Sequence, residues 1–309
     1  MTVLVTGGLG YLGSRLIREI PDHPAFSEEK IRIMDNFRQP RFHAMYDLPS
    51  YANYDFVEGD IRDADDRAEA LDGVDTVFHL AAITNAPETF DIPEKTWEVN
   101  HEAAVELYQD ARESGVSEFV NAVTCSVYGT TEQKIEEDFD CEPESPYGEA
   151  KLAAEQEMFD RYTGEMNLTG LRLGTVYGWT TGMRFDTVVD KFALLAAKGE
   201  PLTVYRGAEQ QQRPYLHVQD SVRSMLFAAE NLGNGEAYNV VGQNGRLQDV
   251  VDAIEKHFPN VEIGYTEAEQ LNQLSYIVSD EKIRLEGFET CYTLDQGVEE
   301  LADKFRAFI

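Results

Sequence analysis

Short apolar segments, rich in β-branched and aromatic residues, alternate with segments of helical period along the first part of the chain. Six such segments begin at residues 2, 31, 54, 76, 119 and 170, and they read TVLV, IRIM, YDFV, TVFHL, FVNAV and GLRL. Strands and helices that alternate in this way predict a parallel sheet covered by helices on both faces. The crossovers between its strands should be right-handed.

The intervening segments have the period of amphipathic helices. YLGSRLIREI places Leu12, Leu16, Ile17 and Ile20 on one helical face, and EKTWEVNHEAAVELYQDARESG predicts a long helix that ends at Gly115. After about residue 174 the pattern changes to loops, a helix around 185–199 and a last strand, AYNVV, at 237. No repeat or low-complexity linker separates two domains, so a second domain would be joined to the first by several crossings.

The charge balance excludes some classes of partner. Asp and Glu total 57 against 26 Lys and Arg, so the formal net charge is −31. Such a surface repels nucleic acid and anionic membranes. The acidic residues are spread along the chain and 42% of the residues are hydrophobic, which indicates a folded protein with an acidic surface rather than a disordered tail. This composition is typical of proteins from a salt-loaded cytoplasm, and an ordinary acidic cytosolic enzyme is the alternative.

The cysteines and histidines indicate neither a disulfide framework nor a metal site. Cys125, Cys141 and Cys291 are odd in number and lack C-x-x-C spacing, and the six histidines show no H-x-x-x-H pair. A core strand predicted from Thr2 leaves no room for a signal peptide, and no apolar segment approaches membrane-spanning length. We therefore expect a soluble cytoplasmic protein.

A glycine-rich turn follows the first predicted strand. TGGLGYLG places Gly7, Gly10 and Gly13 directly before a helix, so the backbone can turn tightly and hold a pyrophosphate at the helix N-terminus. The second strand ends at Asp35, where a carboxylate can bind the adenosine ribose. Because Asp35 would repel a 2′-phosphate, NAD is expected rather than NADP, although Arg38 and Arg41 lie nearby.

Further candidate residues follow the later strands. Asp60, Ala81 and Ala82 should line the same crevice at the carboxyl ends of the strands. SPYGEAK places Tyr147 and Lys151 on one helical face. A lysine ammonium near a phenol lowers the pKa of the tyrosine, which makes it a usable proton acceptor.

The fifth strand ends at Thr124, whose hydroxyl could bind the same substrate oxygen as Tyr147. With a nicotinamide beside them to take the hydride, these groups suit the reversible oxidation of a carbinol to a ketone.

These motifs together resemble the extended short-chain dehydrogenases/reductases, in particular the NAD-dependent epimerase/dehydratase group that works on nucleotide sugars. The matching segments are TGGLGYLG, MDN, GDIRD, HLAA, EVN, TCSVYG, SPYGEAK, LRLGTVYG, RPYLHVQD and YNVVG, in family order.

The resemblance implies an α/β fold. We expect a doubly wound Rossmann sheet over residues 1–174, to which the chain returns at about 212–245, and a smaller, discontinuous substrate-binding α/β domain within residues 175–309.

The resemblance also implies roles for individual residues. Tyr147 would be the acid/base, Lys151 would hold the cofactor ribose and tune Tyr147, and Thr124 would be the hydroxyl partner. The implied NAD-binding residues are Gly7, Gly10, Tyr11, Leu12, Gly13, Asp35, Asn36, Asp60, Ile61, Leu80, Ala81, Ala82, Asn100, Tyr147 and Lys151. The implied substrate-binding residues are Thr84, Thr124, Cys125, Ser126, Thr175, Arg184 and Arg213. No metal is implied.

The residues after Thr124 favour one reaction. In the resembled 4,6-dehydratases an Asp-Glu pair follows the threonine, because loss of water needs both an acid and a base. This chain has Cys125 and Ser126 instead. Epimerisation needs only the Thr, Tyr, Lys and NAD set with room for the ketosugar to turn over, so we expect a nucleotide-sugar 4-epimerase before a 4,6-dehydratase.

Two departures from the group keep other functions open. Thr175 stands where an asparagine usually precedes VYG, and LNQLSYIVSDEK lacks the arginine that usually contacts the substrate pyrophosphate. Arg184, Arg206 and Arg246 could replace it or could be surface residues. One alternative is an NAD-dependent dehydrogenase of free sugars or polyols, and another is a non-catalytic NAD-binding regulator. The resemblance further implies a homodimer that pairs the helices at about 92–114 and 147–163.

Overall fold

The structure, a computed structural model, describes residues 1–267 and 275–308. Its strands in chain order are β1 Thr2–Thr6, β2 Lys30–Asp35, β3 Asn53–Glu58, β4 Thr76–His79, β5 Glu118–Thr124, β6 Lys134–Ile135, β7 Asn167–Leu173, β8 Thr175–Tyr177, β9 Leu202–Tyr205, β10 Gln212–His217, β11 Glu236–Val240, β12 Gln243–Arg246, β13 Ile263–Thr266 and β14 Ile277–Val278.

The α-helices alternate with these strands. They are α1 Tyr11–Glu19, α2 Ala64–Leu71, α3 Ala86–Thr89, α4 Pro93–Trp97, α5 Ala103–Glu113, α6 Pro146–Asp160, α7 Val188–Ala197, α8 Val218–Asn231, α9 Leu247–His257, α10 Glu281–Leu285 and α11 Leu294–Phe305. A π-helical turn, Glu98–Glu102, joins α4 to α5, so the long helix predicted to end at Gly115 is confirmed with one irregular turn. Membrane-spanning length and apolarity are not reached by any helix of the described residues.

Seven parallel strands form the central sheet in the order β3-β2-β1-β4-β5-β7-β11. All seven predicted strands are members of it, including the last one, β11. The strand order reverses direction between β1 and β4, and at such a point the loops diverge and leave a crevice at the carboxyl ends of the strands. The predicted Rossmann-type sheet is therefore confirmed.

Helices cover both faces of the central sheet. On one face α1 and α8 pack through side chains such as Ile17 and Met225, and on the other α5 and α6 pack through Leu107 and Met158. All four side chains are fully buried, and each contributes about 1.5–3 kcal/mol by leaving water. The two clusters hold the strand ends, and hence the crevice, in fixed positions.

Three small sheets lie beyond the central one. They consist of β12-β10-β8, β13-β9 and β14-β6, and α7, α9 and α11 pack together beside them. Strand β8 is separated from β7 by Gly174 alone, so the chain passes from the central sheet to a small sheet within one residue. The division into a domain of residues 1–174 and a discontinuous domain within 175–309 stays a prediction.

The helices predicted to form a homodimer interface, α4–α5 and α6, have an acidic outer face. Glu94, Glu98, Glu102, Glu106 and Glu149 are all exposed on them. Pairing this face with its own copy would bring like charges together, which is unfavourable unless salt screens them. The homodimer stays a prediction.

Candidate active site

A cavity of about 880 Å³ opens at the carboxyl ends of the central strands. It brings together most of the residues predicted from the sequence. These are Gly7, Gly10, Tyr11, Leu12, Gly13, Asp35, Asn36, Asp60, Ile61, Leu80, Ala81, Ala82, Thr84, Thr124, Ser126, Tyr147, Lys151, Thr175, Arg184 and Arg213. Asn100 and Cys125 are not among the residues that line it.

The glycine-rich turn is closely packed against its own backbone. Gly7 has a φ of +64°, which favours glycine, and a Cβ at Gly13 would lie 2.4 Å from the Gly7 carbonyl oxygen. Gly10 precedes α1, and no side chain caps its first turn, so the backbone N–H groups there can bind an anion. This turn fits the pyrophosphate of a dinucleotide.

Asp35 is held at the end of β2 by two backbone donors. Its carboxylate oxygens accept hydrogen bonds from Leu9 N at 3.1 Å and from Phe37 N at 3.0 Å. Burial raises the pKa of Asp35 above its usual value. Each oxygen keeps a lone pair for a ribose hydroxyl, and the nearby Arg38 pairs with Glu88. The residues of this edge therefore fit the adenosine half of NAD.

Asp60 is fixed beside Asn36 at the ends of β3 and β2. The Asn36 amide donates to Asp60 Oδ2 at 2.9 Å, and Arg62 bonds both carboxylate oxygens of Asp60 and also pairs with Glu98. The Arg62 guanidinium holds the pKa of Asp60 well below its usual range. The carboxylate is thus ionised and fixed in position at the edge of the cavity.

Asn100 acts on the site through the backbone. It lies in the π-helical turn, and its side chain donates to Ile83 O and accepts from Ile83 N, both at 2.8 Å. The amide is fully buried and positions the segment that follows β4, which includes Ala82 and Thr84. The prediction that Asn100 binds the cofactor directly has no support in this placement.

Lys151 is carried into the cavity by α6. Ser145 caps this helix by accepting from Gly148 N at 3.2 Å, and Pro146 is its first residue. Lys151 is only 3% exposed, and burial lowers the pKa of its ammonium to about 8. Its ammonium has no hydrogen-bond partner among residues 1–267 and 275–308. A buried, unpaired donor beside the glycine-rich turn fits the hydroxyls of a nicotinamide ribose.

Tyr147 lies in the cavity with Thr124. The Thr124 hydroxyl is within hydrogen-bonding reach of the Tyr147 phenol, and its oxygen also accepts from Ser126 N at 3.1 Å. Burial raises the pKa of Tyr147, and the charge of Arg184 is the main effect that opposes this rise. We predicted that Lys151 lowers the pKa of Tyr147, and for the chain alone this is wrong. Desolvation of the Tyr147 phenol outweighs the opposing charge of Arg184.

Cys125 points away from the cavity. Its thiol donates to Arg172 O at 3.1 Å, and burial raises the pKa of the thiol far above its usual value. The side chain fills space in the core, so the prediction that Cys125 contacts the substrate is wrong. The next residue, Ser126, does line the cavity and hydrogen-bonds Tyr276.

Tyr276 was missed by the sequence analysis. Its backbone N–H donates to Gln212 O at 3.0 Å. Its phenol hydrogen-bonds the Ser126 side chain and lies near the Tyr147 phenol. No spacing motif marks this residue, since it reaches the site through tertiary contacts. It follows Leu271–Leu274, the part of the arginine-free segment that lies outside the described residues.

Arg184 reaches across the cavity from the loop before α7. Its Nη1 donates to Thr84 Oγ1 at 3.0 Å, its Cζ lies 5.2 Å from the centre of the Tyr11 ring, and its Nε lies 3.4 Å from Asp186. The other two arginines considered as replacements for the missing one pair elsewhere, Arg206 with Glu267 and Arg246 with Asp249, and neither lines the cavity.

The charge of the cavity is opposite to that of the whole chain. Eight cations line it: Arg38, Arg41, Arg62, Lys95, Lys151, Arg184, Lys191 and Arg213. Three acids line it: Asp35, Asp60 and Asp186. Eight minus three leaves an excess of five positive charges, in a chain whose net charge is −31. Such a cavity concentrates anionic ligands from solution.

The doubly wound sheet, the glycine-rich turn and the tyrosine–lysine pair define an enzyme that uses a dinucleotide. The model of the family described as the NAD dependent epimerase/dehydratase family matches residues 3–241. The chain belongs to this family, whose members are NAD-dependent enzymes of the extended short-chain dehydrogenase/reductase type.

Two relatives carry names that refer to UDP-sugars. The uncharacterized UDP-glucose epimerase YtcB of Bacillus subtilis (strain 168) is 30% identical over 269 residues, 81% of this chain and 82% of YtcB. The trifunctional UDP-glucose 4,6-dehydratase/UDP-4-keto-6-deoxy-D-glucose 3,5-epimerase/UDP-4-keto-L-rhamnose-reductase RHM1 of Arabidopsis thaliana is 27% identical over 97% of this chain. This chain spans 46% of the length of RHM1.

A solved structure has the same fold over its whole length. The UDP-glucose 4-epimerase of Thermus thermophilus, in complex with NAD, is 26% identical, and its TM-score is 0.84 with 100% of each chain covered. The family and the fold are therefore established, while the names of the relatives include both epimerases and dehydratases.

Proposed function

We propose that this chain catalyses the 4-epimerisation of a nucleotide sugar through a 4-keto intermediate. The observation that carries the proposal is the meeting of Thr124, Tyr147 and Lys151 beside the glycine-rich turn, in a cavity where the two positions after Thr124 supply no carboxyl group. Together with bound NAD as the hydride acceptor and donor, these groups would suffice to oxidise a carbinol and to reduce the ketone again.

Each of the three side chains has a separate task. In its ionised form the Tyr147 phenolate oxygen takes the proton of the sugar 4-hydroxyl and later returns it, while the Thr124 hydroxyl orients the same sugar oxygen. Lys151, whose buried ammonium lacks a partner among the described residues, binds the cofactor ribose. Bound NAD supplies the hydride acceptor and donor.

Dehydration is disfavoured by the residues after Thr124. Loss of water needs an acid for the leaving hydroxyl and a base for the neighbouring carbon. The Cys125 thiol faces Arg172 O in the core, and Ser126 is a hydroxyl bonded to Tyr276. Neither group is a suitable base near neutral pH, so the residues after Thr124 would not support loss of water from the 4-keto intermediate.

A nucleotide on the sugar is favoured over a free sugar by the charge of the cavity. Its excess of five positive charges contrasts with the acidic surface. Two diphosphates, one from the cofactor and one from the substrate, would offset most of this charge. A free sugar would add no negative charge to offset it.

The test is an assay of the purified protein with NAD and a panel of UDP-, dTDP- and GDP-sugars and free sugars. High salt should be present to screen the acidic surface. Reduced nicotinamide and the product sugar are followed together. A new 4-epimer without accumulation of NADH is expected. Stoichiometric NADH with a free sugar would show a dehydrogenase instead, and a 4-keto-6-deoxy product would show a dehydratase.

A further inference from the structure

Asp190 is a buried acid in the first turn of α7 that the reaction above does not use. Its side chain is 0% exposed. Its Oδ1 accepts from Gly178 N at 2.9 Å, and its Oδ2 lies 2.9 Å from the Tyr11 phenolic oxygen and 3.3 Å from Thr187 Oγ1. No sequence motif indicates this contact, since Tyr11 and Asp190 are 179 positions apart.

A count of hydrogens at Tyr11 favours a proton on Asp190. The Tyr11 oxygen lies 2.7 Å from Gly178 O as well as 2.9 Å from Asp190 Oδ2. A phenol has one hydrogen and can donate only one such bond. When Tyr11 donates to Gly178 O, the short contact with Asp190 needs a hydrogen from the carboxyl group. Consistently, burial raises the pKa of Asp190 to about 7.

The contact joins the two sides of the cavity. Tyr11 belongs to the glycine-rich turn and α1, whereas Gly178 and Asp190 flank the loop that leads from β8 into α7. Two more hydrogen bonds join the same loop to α1, and both involve Ser14 Oγ. It lies 2.7 Å from Thr180 Oγ1, and it accepts from Gly182 N at 2.9 Å.

This loop lies directly on the cofactor turn. A Cβ at Gly182 would come within 2.5 Å of Gly10 O, which leaves no space between the two segments. The loop also carries Arg184, which stacks on the Tyr11 ring and acts on the pKa of Tyr147. The position of the loop therefore affects both the cofactor turn and the proton-transferring phenol.

We propose that Asp190 is a positioning residue that acts as a neutral acid: it donates a hydrogen bond to Tyr11 and thereby fastens residues 178–187, with Arg184, onto the glycine-rich turn. Loss of the proton leaves the single Tyr11 hydrogen for two acceptors, so that when the phenol donates to the Asp190 carboxylate, Gly178 O loses its donor. The loop is then held by one hydrogen bond fewer, and bound NAD should exchange faster.

Few charged or titratable side chains surround Asp190. Tyr11 from α1, Tyr177 from β8 and Arg184 from the loop act on it directly, and Glu300 from α11 faces Tyr11 and Tyr177. Strand β9 and helix α9 meet α7 through apolar side chains such as Val204 and Ile254.

The variant Asp190→Asn tests the proton. An asparagine can accept from Gly178 N and donate to Tyr11 at every pH, so it reproduces the neutral acid. The carbonyl band of a protonated carboxylic acid should appear in the infrared difference between wild type and Asp190→Asn at about pH 6, and it should vanish by about pH 9. Absence of that band at pH 6 would overturn the proposal.

The sign of the stability effect is fixed by the raised pKa. Asp190 releases its proton near pH 3.8 in the unfolded chain and near pH 7 in the folded chain. The stabilising effect of the protonated acid is therefore complete below pH 3.8 and is lost as the pH rises through 7. The melting temperature of wild type should therefore fall relative to that of Asp190→Asn between these values and stay lower above them. A difference that is constant with pH would contradict the proposal.

The pH dependence of the NAD release rate distinguishes the proposed role of Asp190 from a purely structural one, which would not change that rate with pH. Between pH 7 and 8, below the range in which Lys151 loses its charge, the release rate of bound NAD should rise in wild type by up to about tenfold, and it should stay slow and flat in Asp190→Asn. Tyr177→Phe is the matched control, because it removes a buried phenol near Asp190 that is not bonded to it, and it should keep the wild-type pH dependence. Equal pH dependence in wild type and Asp190→Asn would overturn the proposal, whichever sugar the enzyme uses.

Discussion

The two sides of the cavity are built in different ways. The cofactor side is formed mainly by backbone, namely the glycine-rich turn, the N-terminus of α1 and the ends of β1 to β4. The substrate side is formed mainly by side chains, such as Arg184, Arg213 and Tyr276, which come from separate small sheets and loops. Replacement of one glycine should therefore abolish ligand binding at the backbone-formed side. Replacement of one side chain on the other side should remove a single contact and weaken ligand binding only partly.

The contrast extends to charge. Asp35 and Asp60 follow strands of the cofactor side, while Asp186 pairs with Arg184 in the loop before α7. Outside the cavity the chain is strongly acidic. The cations that an acidic protein keeps in its cavity mark the places where anionic ligands must bind.

Gly13→Ala should have the largest effect, because it removes the cofactor site altogether. The new Cβ would lie 2.4 Å from Gly7 O, and backbone on both sides of the clash leaves no flexible group to move. We expect NAD affinity to fall by roughly 100-fold or more, measured by titration and by the cofactor content of purified protein. Gly264→Ala is the control, since its Cβ meets only Leu202 O at 3.5 Å and NAD binding should not change. Unaltered NAD content in Gly13→Ala would refute a backbone-made site.

Tyr147→Phe should separate chemistry from binding. Loss of the proton-transferring oxygen should lower kcat by about 10²- to 10⁴-fold. Because most of the predicted NAD-binding residues are unchanged, NAD affinity should stay within a few-fold of wild type. Steady-state rates and cofactor titration test both halves of this prediction. Turnover at the wild-type rate would remove Tyr147 from the mechanism.

Arg213→Ala should have a graded effect on the substrate side alone. Removal of a charged hydrogen-bond donor costs about 1.5–3 kcal/mol, so we expect KM for the nucleotide sugar to rise by about 10- to 150-fold with NAD content unchanged. Arg206→Ala is the matched control, because that arginine pairs with Glu267 outside the cavity. A change of equal size in both variants would indicate a loss of general electrostatic attraction instead of a specific contact.

The smallest effect should be a pH dependence of NAD binding that comes from Lys151. Burial lowers the pKa of its ammonium to about 8, so the charge is present below that pH and lost above it. NAD affinity should decline by up to about tenfold per pH unit above 8, and Lys151→Arg should move the decline to higher pH because arginine stays charged. Binding isotherms at several pH values measure it. Identical profiles for the two proteins would exclude Lys151 as the titrating group.

The cofactor side was predictable from the sequence because each of its residues lies at or just after the end of one of the successive strands. Gly7, Asp35, Asp60 and Ala81 each follow a strand of one parallel sheet, and the carboxyl ends of such strands meet at one edge. Tyr147 and Lys151 were predictable as well, since they share a helix whose start is marked by Ser145.

The substrate side was less predictable because long-range pairing creates it. Strand β8 pairs with β10, and β14, which follows Tyr276, pairs with β6. These short strands carry no hydrophobic period that reveals their partners. The orientation of Cys125 and the shifted pKa of Tyr147 depend on burial, which spacing along the chain does not give.

The most direct test of the central claim follows one hydrogen atom. A UDP-sugar that carries deuterium at C4 is incubated with the NAD-loaded protein in ordinary water, and the product is examined by NMR and mass spectrometry. If Tyr147 moves only the hydroxyl proton while the hydride leaves C4 and returns to it, the 4-epimer will retain deuterium at C4, and no deuterated NADH will appear in solution. Deuterium in free NADH, or a product with unchanged C4 configuration, would contradict the account.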